Sequence, residues 1–240
     1  MTVKSIQQSE LDICSKQRGL KDGIVASLPI AIGYIPIAIT FGVLAQATGL
    51  TLFQALSMSL FVFAGASQFV GINLIAMGVP FAEIVVTTFI LNFRHFLMSS
   101  SLVTKFAPMK NGLLAIVGFG ITDETFSLAS LQPGQLSGPF LIGLNFTAYA
   151  AWVGGTGLGV ILAAGMPPVL QSSMGIALYA MFIGLLIPSM KKSIKIASVA
   201  IIAGLTNIVL YNYLSVGWSI ILATITGAFI GTFFFKGGKK

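Results

Sequence analysis

Residues 23–82 read GIVASLPIAIGYIPIAITFGVLAQATGLTLFQALSMSLFVFAGASQFVGINLIAMGVPFA and contain no Asp, Glu, Lys, Arg or His. Residues 125–190 form a second long stretch without any of these residue types. Only 8% of the chain is charged and 56% is hydrophobic, whereas roughly a quarter of the residues in a soluble domain are charged. One crossing of a bilayer takes about 20 apolar residues, so the sequence predicts an integral membrane protein that crosses several times.

Charged residues, Pro and Gly divide the chain into eight hydrophobic segments. We expect all of them to be helical, because a segment in lipid has to satisfy its own backbone hydrogen bonds. The segments are 22–46, 51–78, 80–103, 111–131, 137–163, 168–188, 194–213 and 216–235. The predicted fold is an all-α, polytopic membrane helical bundle. It consists of one transmembrane domain, 22–235, between a cytoplasmic N-terminal segment, 1–21, and a cytoplasmic tail, 236–240.

The basic residues predict the orientation of these segments. Lys and Arg are concentrated near the N-terminus, at 105–110, at 191–195 and at the C-terminus, and the positive-inside rule places all four regions in the cytoplasm. Eight full crossings would put 105–110 outside, so we expect two segments to enter and leave on one face. The second segment is one of them, because FAGASQ at 63–68 puts a small, polar break in its middle. The sixth is the other, which leaves six crossings and places Gln135 outside.

Two short stretches hint at an internal repeat. FGVLA at 41–45 is similar to LGVIL at 158–162. In the six-crossing topology the first and fifth segments run in opposite directions, so they would belong to an inverted repeat, an arrangement common among secondary transporters. Chance matches of small residues in apolar sequence are the alternative explanation.

The third segment carries the polar residues that cost most to bury in a membrane. Asn92, Arg94 and His95 lie in its middle, and an ionisable residue at this depth is a candidate for function. One helical face presents Thr88, Asn92, His95 and Ser99. Hydrogen bonds between helices would account for the Thr, Asn and Ser side chains. Arg94 and His95 need partners or water, so we expect this stripe to line a polar cavity.

Asp123 and Glu124 lie just past the centre of the fourth segment and could supply the countercharge for Arg94. A fixed ion pair that lets the bundle assemble and a proton relay are both open for Asp123. Glu124 is the weaker candidate, because adjacent helical residues point about 100° apart. Gln68 lies beside the predicted break, where half-helix ends can bind a small zwitterion.

The sequence contains no HExxH, P-loop or GxSxG motif. We therefore predict that the protein is not an enzyme, and nothing in the sequence implies a metal or a cofactor. Cys14 is the only cysteine, which excludes a disulfide framework and a CxxC site.

Five short motifs lie in a fixed order along the chain: GYIP at 33–36, FGVLA at 41–45, FAGASQF at 63–69, NFRH at 92–95 and TDE at 122–124. With these motifs the chain resembles the AzlC family of branched-chain amino acid permeases, exporters of the LIV-E type. FAGASQF and the N-x-R-H element are the most specific, whereas the C-terminal third matches by hydropathy alone. Phe93 replaces the usual leucine, and residues 174–177 lack the acidic residue of many relatives.

The resemblance implies a secondary transporter that exports branched-chain or similar small apolar amino acids across the bacterial cytoplasmic (inner) membrane. It also implies a small hydrophobic partner subunit of the AzlD type, and the ionisable residues His95 and Asp123 inside the membrane predict coupling to protons. The residues predicted to bind the amino acid are Gly65, Ser67, Gln68, Asn92 and Arg94. The residues predicted to couple protons are His95, Asp123 and Glu124. The alternative is an ion or small-solute channel lined by the polar face of the third and fourth segments.

Overall fold

The computed structural model describes residues 18–167 and 193–236, together with scattered residues between them. These two ranges contain nine α-helices and no strand longer than a single bridge. The helices are α1 (Leu20–Ala47), α2 (Leu52–Phe61), α3 (Gly65–Ala76), α4 (Phe81–Leu102), α5 (Asn111–Phe119), α6 (Asp123–Leu131), α7 (Gly138–Ala163), α8 (Ile194–Tyr211) and α9 (Val216–Lys236), with a short 3-10 helix (Val103–Lys105) after α4. The prediction of an all-α membrane bundle is confirmed.

Five of the described helices are long and apolar enough to cross a bilayer: α1, α4 with its 3-10 turn, α7, α8 and α9. The other four are short. α2 and α3 have 10 and 12 residues, and α5 and α6 form a pair bent by 118°. At 1.5 Å per residue such helices are much shorter than the hydrocarbon core of about 30 Å. We call residues 52–76 the first hairpin and residues 111–131 the second hairpin.

Each hairpin is broken where the backbone leaves the helical conformation and a new helix is capped. In the first hairpin the break lies at 62–64, beside the FAGASQ motif, and Phe63 has a φ of 42°. A bulky residue in this left-handed region is strained. In the second hairpin α5 ends at Gly120, and the Thr122 side chain caps α6 by accepting a hydrogen bond from the Thr125 backbone. The fourth segment is therefore broken, although the sequence predicted a continuous helix.

Helices α1 and α7 form the centre of the bundle and run parallel. A Cβ on Gly23 would overlap the backbone of Phe140, and a Cβ on Gly42 would overlap the backbone of Thr156. Small residues at these positions allow two membrane helices to approach closely. Since residue numbers increase together along the contact, the first and fifth segments run in the same direction. The prediction that these two segments are related by inversion is wrong.

The start of α7, the end of α4 and the start of α1 meet at one end of the bundle. The Leu136 amide donates to the Lys105 carbonyl at 2.8 Å, and the Ser137 hydroxyl donates to the Arg18 carbonyl. The chain between Lys105 and Leu136 thus returns to the end from which it left. The second hairpin is re-entrant and not a crossing, and Gln135 lies at the same end as Lys105, contrary to prediction. We call this end, which carries Arg18, Lys21, Lys105 and Lys110, the basic end.

The opposite end joins α4 to α9. The Glu83 carboxylate accepts hydrogen bonds from the Ser215 hydroxyl and from the Gly217 amide, the latter at 2.9 Å. Helix α8 runs antiparallel to α9, because Asn207 accepts from Ser219 across the short connection. α8 therefore begins at the basic end, whereas α7 finishes at the opposite end. The sixth segment, predicted to be re-entrant, lies outside the described residues.

Two apolar clusters hold the hairpins against the central pair. The first cluster, between α1, α7 and the first hairpin, is built around Phe41, Phe69 and Trp152. The second, between α7, the end of α4 and the second hairpin, is built around Leu102, Val117, Ile121, Phe140 and Leu144. Because the hairpins enter from opposite ends, their breaks meet between these clusters.

Candidate functional site

The tips of the two hairpins meet in the middle of the bundle. The ring of Phe63 in the first break lies 6.3 Å from that of Phe119 at the end of α5. The same ring lies 6.5 Å from that of Tyr34, and the Tyr34 ring lies 5.3 Å from that of Trp152. Tyr34 and Trp152 are about halfway along α1 and α7. The N-termini of α3 and α6 thus lie at mid-depth, where the positive ends of their dipoles favour negative charge.

A cavity of about 620 Å³ opens beside the two tips. One part of its wall is apolar and is formed by Ile37, Phe63, Trp152, Leu186 and Ile196. Another part is polar and is formed by Arg94, His95, Thr122, Asp123 and Glu124. Tyr34 and the start of α3 complete the lining. An apolar pocket with a few convergent polar groups is the usual form of a small-molecule site.

Arg94 and Asp123 form an ion pair at the wall of this cavity. Nη1 of Arg94 lies 3.1 Å from Oδ2 of Asp123, and the two side chains are 40% and 41% exposed. Nε of Arg94 has no partner among the described residues. The contact with Asp123 is made through Nη1, and Nε is buried, so Nη2 is the remaining terminal nitrogen of the guanidinium. Asp123 also begins α6, where the helix dipole stabilises its charge.

Glu124 faces a different partner. The Tyr34 hydroxyl donates to Oε2 of Glu124 at 2.5 Å and also contacts the Thr122 hydroxyl at 2.7 Å. Asp123 and Glu124 are adjacent, so their side chains point in different directions from the helix axis. Because both lie in the first turn of a helix whose N-terminus points into the cavity, both side chains line that cavity. Asp123 turns toward Arg94 and Glu124 toward Tyr34. The expectation that Glu124 is the weaker candidate rested on a continuous helix, which is absent.

The polar side chains of Ser67 and Gln68, in the first hairpin, form hydrogen bonds with other groups of the protein. Gln68 is buried, and its Oε1 accepts from Trp152 Nε1 at 3.0 Å and from the Ala64 amide at 3.2 Å. Its Nε2 donates to the Ser59 hydroxyl at 3.0 Å. Ser67 is also buried and donates to the Ala64 carbonyl. Of the substrate-binding residues predicted here, Gly65 lines the cavity, while Ser67 and Gln68 do not.

Helix α4 contributes fewer residues to the cavity than its polar stripe predicts. Arg94 and His95 line the cavity, and Asn92 does not. Thr88 donates within its own helix, to the Ile84 carbonyl at 2.8 Å. Oδ1 of Asn92 is buried without a hydrogen-bond partner in the described part of the chain. Within that part no three His, Cys, Asp or Glu side chains come together as they would around a metal ion.

The sequence profile of the family described as "AzlC protein" matches residues 29–166. This match covers both hairpins and both members of the Arg94–Asp123 pair. The chain belongs to the AzlC family.

This AzlC-family chain is similar in sequence to several other membrane proteins. An uncharacterized membrane protein of Archaeoglobus fulgidus is 39% identical over 89% of this chain and 94% of its own length. The inner membrane protein YgaZ of Escherichia coli is 29% identical over 80% of this chain and 82% of its own length. The branched-chain amino acid transport protein AzlC of Bacillus subtilis is 25% identical over 58% of this chain and 55% of its own length. No solved structure matches the chain.

Tyr34 and Trp152 are two of the residues of this AzlC-family cavity that the sequence did not predict. Tyr34 belongs to the quoted GYIP motif, and its hydroxyl could have been noticed because a tyrosine in apolar surroundings needs a hydrogen-bond partner. Trp152 carries the same kind of signal, because its indole N–H also needs a partner, but the sequence does not show that this partner is Gln68. Its place is decided by α7, which is parallel to α1 and brings the ring against Tyr34.

Proposed function

We propose that this chain is a secondary transporter that exports branched-chain or similar small apolar amino acids across the cytoplasmic membrane. The single observation that carries the proposal is the mid-depth cavity, which sets one guanidinium and two carboxylates beside an apolar wall. A zwitterion with an apolar side chain needs all three features. The name of the Bacillus subtilis relative supports the same substrate class.

The substrate's two charges have separate partners in this proposal. Arg94 binds the carboxylate, using the terminal nitrogen that Asp123 leaves open. Glu124, oriented by the Tyr34 hydroxyl, accepts the ammonium group. The hydrocarbon side chain then lies against Phe63, Trp152 and Ile37, which form the apolar wall.

Proton coupling follows from competition for Arg94. A substrate carboxylate that takes the guanidinium displaces Asp123 from its one-point ion pair. In this proposal a carboxylate that has lost its cation takes up a proton, because a nearby positive charge is what favours the ionised form. His95 lies next to Arg94 on the same cavity wall and is the group proposed to pass that proton. Substrate binding and protonation of Asp123 are then linked, which couples transport to protons.

We propose that the basic end faces the cytoplasm, because it gathers Arg18, Lys21, Lys105 and Lys110. Both termini are then cytoplasmic and the first hairpin enters from outside. We also propose that a small hydrophobic subunit of the AzlD type completes the transporter. Neither its presence nor its stoichiometry is needed for the cavity chemistry described above.

A transporter is favoured over the alternative, a channel, by the packing between the hairpin tips. Phe63, Phe119 and Tyr149 contact one another there, with ring centroids 5.1–6.3 Å apart. Aromatic side chains packed in this way block a continuous polar path and have to rearrange in each transport cycle. Saturable efflux with counterflow is expected, whereas a channel would give single-channel currents.

The direct test is efflux of leucine, isoleucine and valine from preloaded cells. The chain is expressed alone and with a candidate small partner gene, and a variant with Arg94→Gln serves as the inactive control at equal membrane abundance. We expect efflux above this control that saturates with internal amino acid. Equal efflux from the wild type and the Arg94→Gln control, with and without the partner, would exclude the proposed function.

A further inference from the structure

Trp152 is held in the cavity wall by burial and by a hydrogen bond. Its Nε1 donates to Gln68 Oε1 at 3.0 Å, and only 3% of the residue is exposed. Gln68 is itself held, by the Ala64 amide and by the Ser59 hydroxyl, which in turn contacts the Thr156 hydroxyl at 2.8 Å. This buried network ties the first hairpin to α7 and fixes the plane of the indole ring.

The far edge of the same ring meets the start of α3. A Cβ added to Gly65 would lie 2.6 Å from Cη2 of Trp152, closer than real Cβ contacts. Gly65 is therefore small because the ring occupies the space beside it. The Tyr34 ring packs edge-on against Trp152 at 5.3 Å, while its hydroxyl reaches Glu124. Tyr34 thus spans from the polar part of the cavity to the indole.

We propose that Trp152 sets the upper size limit for the substrate side chain, and that Gln68 is a positioning residue that holds the ring at that limit. This inference rests on the proposed function and adds a determinant of specificity to it. An amino acid bound by Arg94 and Glu124 extends its side chain along Tyr34 toward the indole. The ring, clamped by Gln68 on one side and by Gly65 on the other, cannot move aside for a larger group.

The first experiment measures efflux of alanine, valine, leucine and phenylalanine in the same cells. Trp152→Phe should raise the ratio of phenylalanine to leucine efflux by about tenfold, because a methylene-sized change in an apolar pocket is worth about that much discrimination. Gly65→Ala should shift preference toward alanine and valine. Gly71→Ala is the matched control on the same helix, since its Cβ would meet only ordinary contacts, at 3.7 Å or more. It should leave every ratio unchanged.

The second experiment measures the environment of the Trp152 ring by its fluorescence. Trp218→Phe leaves Trp152 as the single tryptophan, and leucine added to this purified protein should change its fluorescence. Gln68→Met, made in the same background, removes the hydrogen-bond acceptor at similar side-chain length. We expect the emission maximum to move to shorter wavelength and the phenylalanine to leucine efflux ratio to rise. A ratio of two substrates in one membrane does not depend on how much protein is folded.

The outcomes separate this inference from the function on which it rests. A wild type that exports none of the four amino acids overturns the proposed function. A wild type that exports leucine, combined with Trp152→Phe and Gly65→Ala variants that keep its size profile, overturns the role of Trp152 alone. Unchanged emission and unchanged ratios in Gln68→Met overturn the role of Gln68.

Discussion

The first and second hairpins are alike in construction and different in chemistry. Each consists of two short helices whose break lies at mid-depth, and each presents a helix N-terminus to the cavity. The first hairpin has no ionisable residue, and its Gln68 is buried with its polar atoms bonded to the protein. The second hairpin carries Asp123 and Glu124, and the Asp123 side chain is 41% exposed to the cavity. The same structural element can therefore serve as a fixed wall or as a carrier of reactive groups.

The two hairpins also differ in the kind of contact that holds them in the bundle. The first is tied to α7 through side chains, by Gln68 to Trp152 and by Ser59 to Thr156. The second is held chiefly through its backbone. The Asn145 amide donates to the Val117 carbonyl at 2.9 Å, and the Lys105 ammonium donates to two carbonyls at the end of α6. The side chains at the tip of the second hairpin instead contact Arg94 and Tyr34 in the cavity wall.

The sharpest test of the comparison asks whether the hairpins enter from opposite faces. In a Cys14→Ser background, Met77→Cys reports the end of the first hairpin and Gln135→Cys the end of the second. An impermeant maleimide added to intact cells should label Met77→Cys fully and leave Gln135→Cys unlabelled until the membrane is opened. Asn111→Cys should behave like Gln135→Cys. Labelling of Gln135→Cys but not of Asn111→Cys from outside would show that the second hairpin crosses the membrane, whereas labelling of both would show that the basic end faces outward.

The next largest effect is expected for the carboxylate of the second hairpin. Asp123→Asn removes a titratable charge at nearly constant volume, so coupled efflux should be lost while the protein stays in the membrane. Ser127→Ala, on the same helix, is the matched control and should retain efflux. Efflux by Asp123→Asn at the wild-type rate and with the wild-type pH dependence would leave the ion pair with a structural role only.

Arg94→Lys should have a smaller effect, on substrate affinity. A lysine keeps the charge but cannot hold a carboxylate in the bidentate geometry of a guanidinium. The loss of a charged hydrogen bond corresponds to about 1.5 to 3 kcal/mol, or a rise in KM of roughly tenfold to a hundredfold. Concentration-dependent efflux measures this directly. Normal affinity in the lysine variant would mean that Arg94 does not bind the substrate carboxylate.

The smallest effect is expected for the anchor of the first hairpin. Ser59→Ala removes one buried hydroxyl and leaves Thr156 and Gln68 each with one partner fewer. The free energy of unfolding should fall by about 1 to 3 kcal/mol, measured as thermal stability in detergent. The pH dependence of efflux should not change, because the first hairpin carries no proton-binding group. A shifted pH profile would contradict the division of roles between the hairpins.

The two breaks show how far local sequence predicts structure here. FAGASQ at 63–68 interrupts an apolar run with small and polar residues, so the first break was predicted close to where it lies. The second break falls at 120–122, where Gly120 ends one helix and Thr122, followed by Asp123 and Glu124, starts the next, a local signal that was not used in the prediction. The return of the chain to its starting end, in contrast, follows only from the hydrogen bond between Leu136 and Lys105. Contacts between residues so distant in the chain leave no local pattern.

The candidate site divides in the same manner. Arg94, His95, Asp123 and Glu124 could be proposed from sequence, because ionisable groups inside apolar segments are conspicuous. Gln68 was conspicuous as a polar side chain beside the predicted break, yet its hydrogen bonds are made within the protein and not in the cavity. Polarity alone shows that a buried group needs a partner and does not show which partner it finds.

The sequence by itself therefore determined that the protein lies in a lipid bilayer, that it is helical, and which ionisable residues lie within the membrane segments. Each of these properties depends on composition and on short spacing. Only the tertiary structure decided that α1 and α7 run parallel, that the second hairpin re-enters, and that Tyr34 and Trp152 join the site. These features depend on glycine contacts and hydrogen bonds between helices far apart in the chain. Such contacts are set by packing in three dimensions, and an apolar sequence carries almost no local pattern that identifies them.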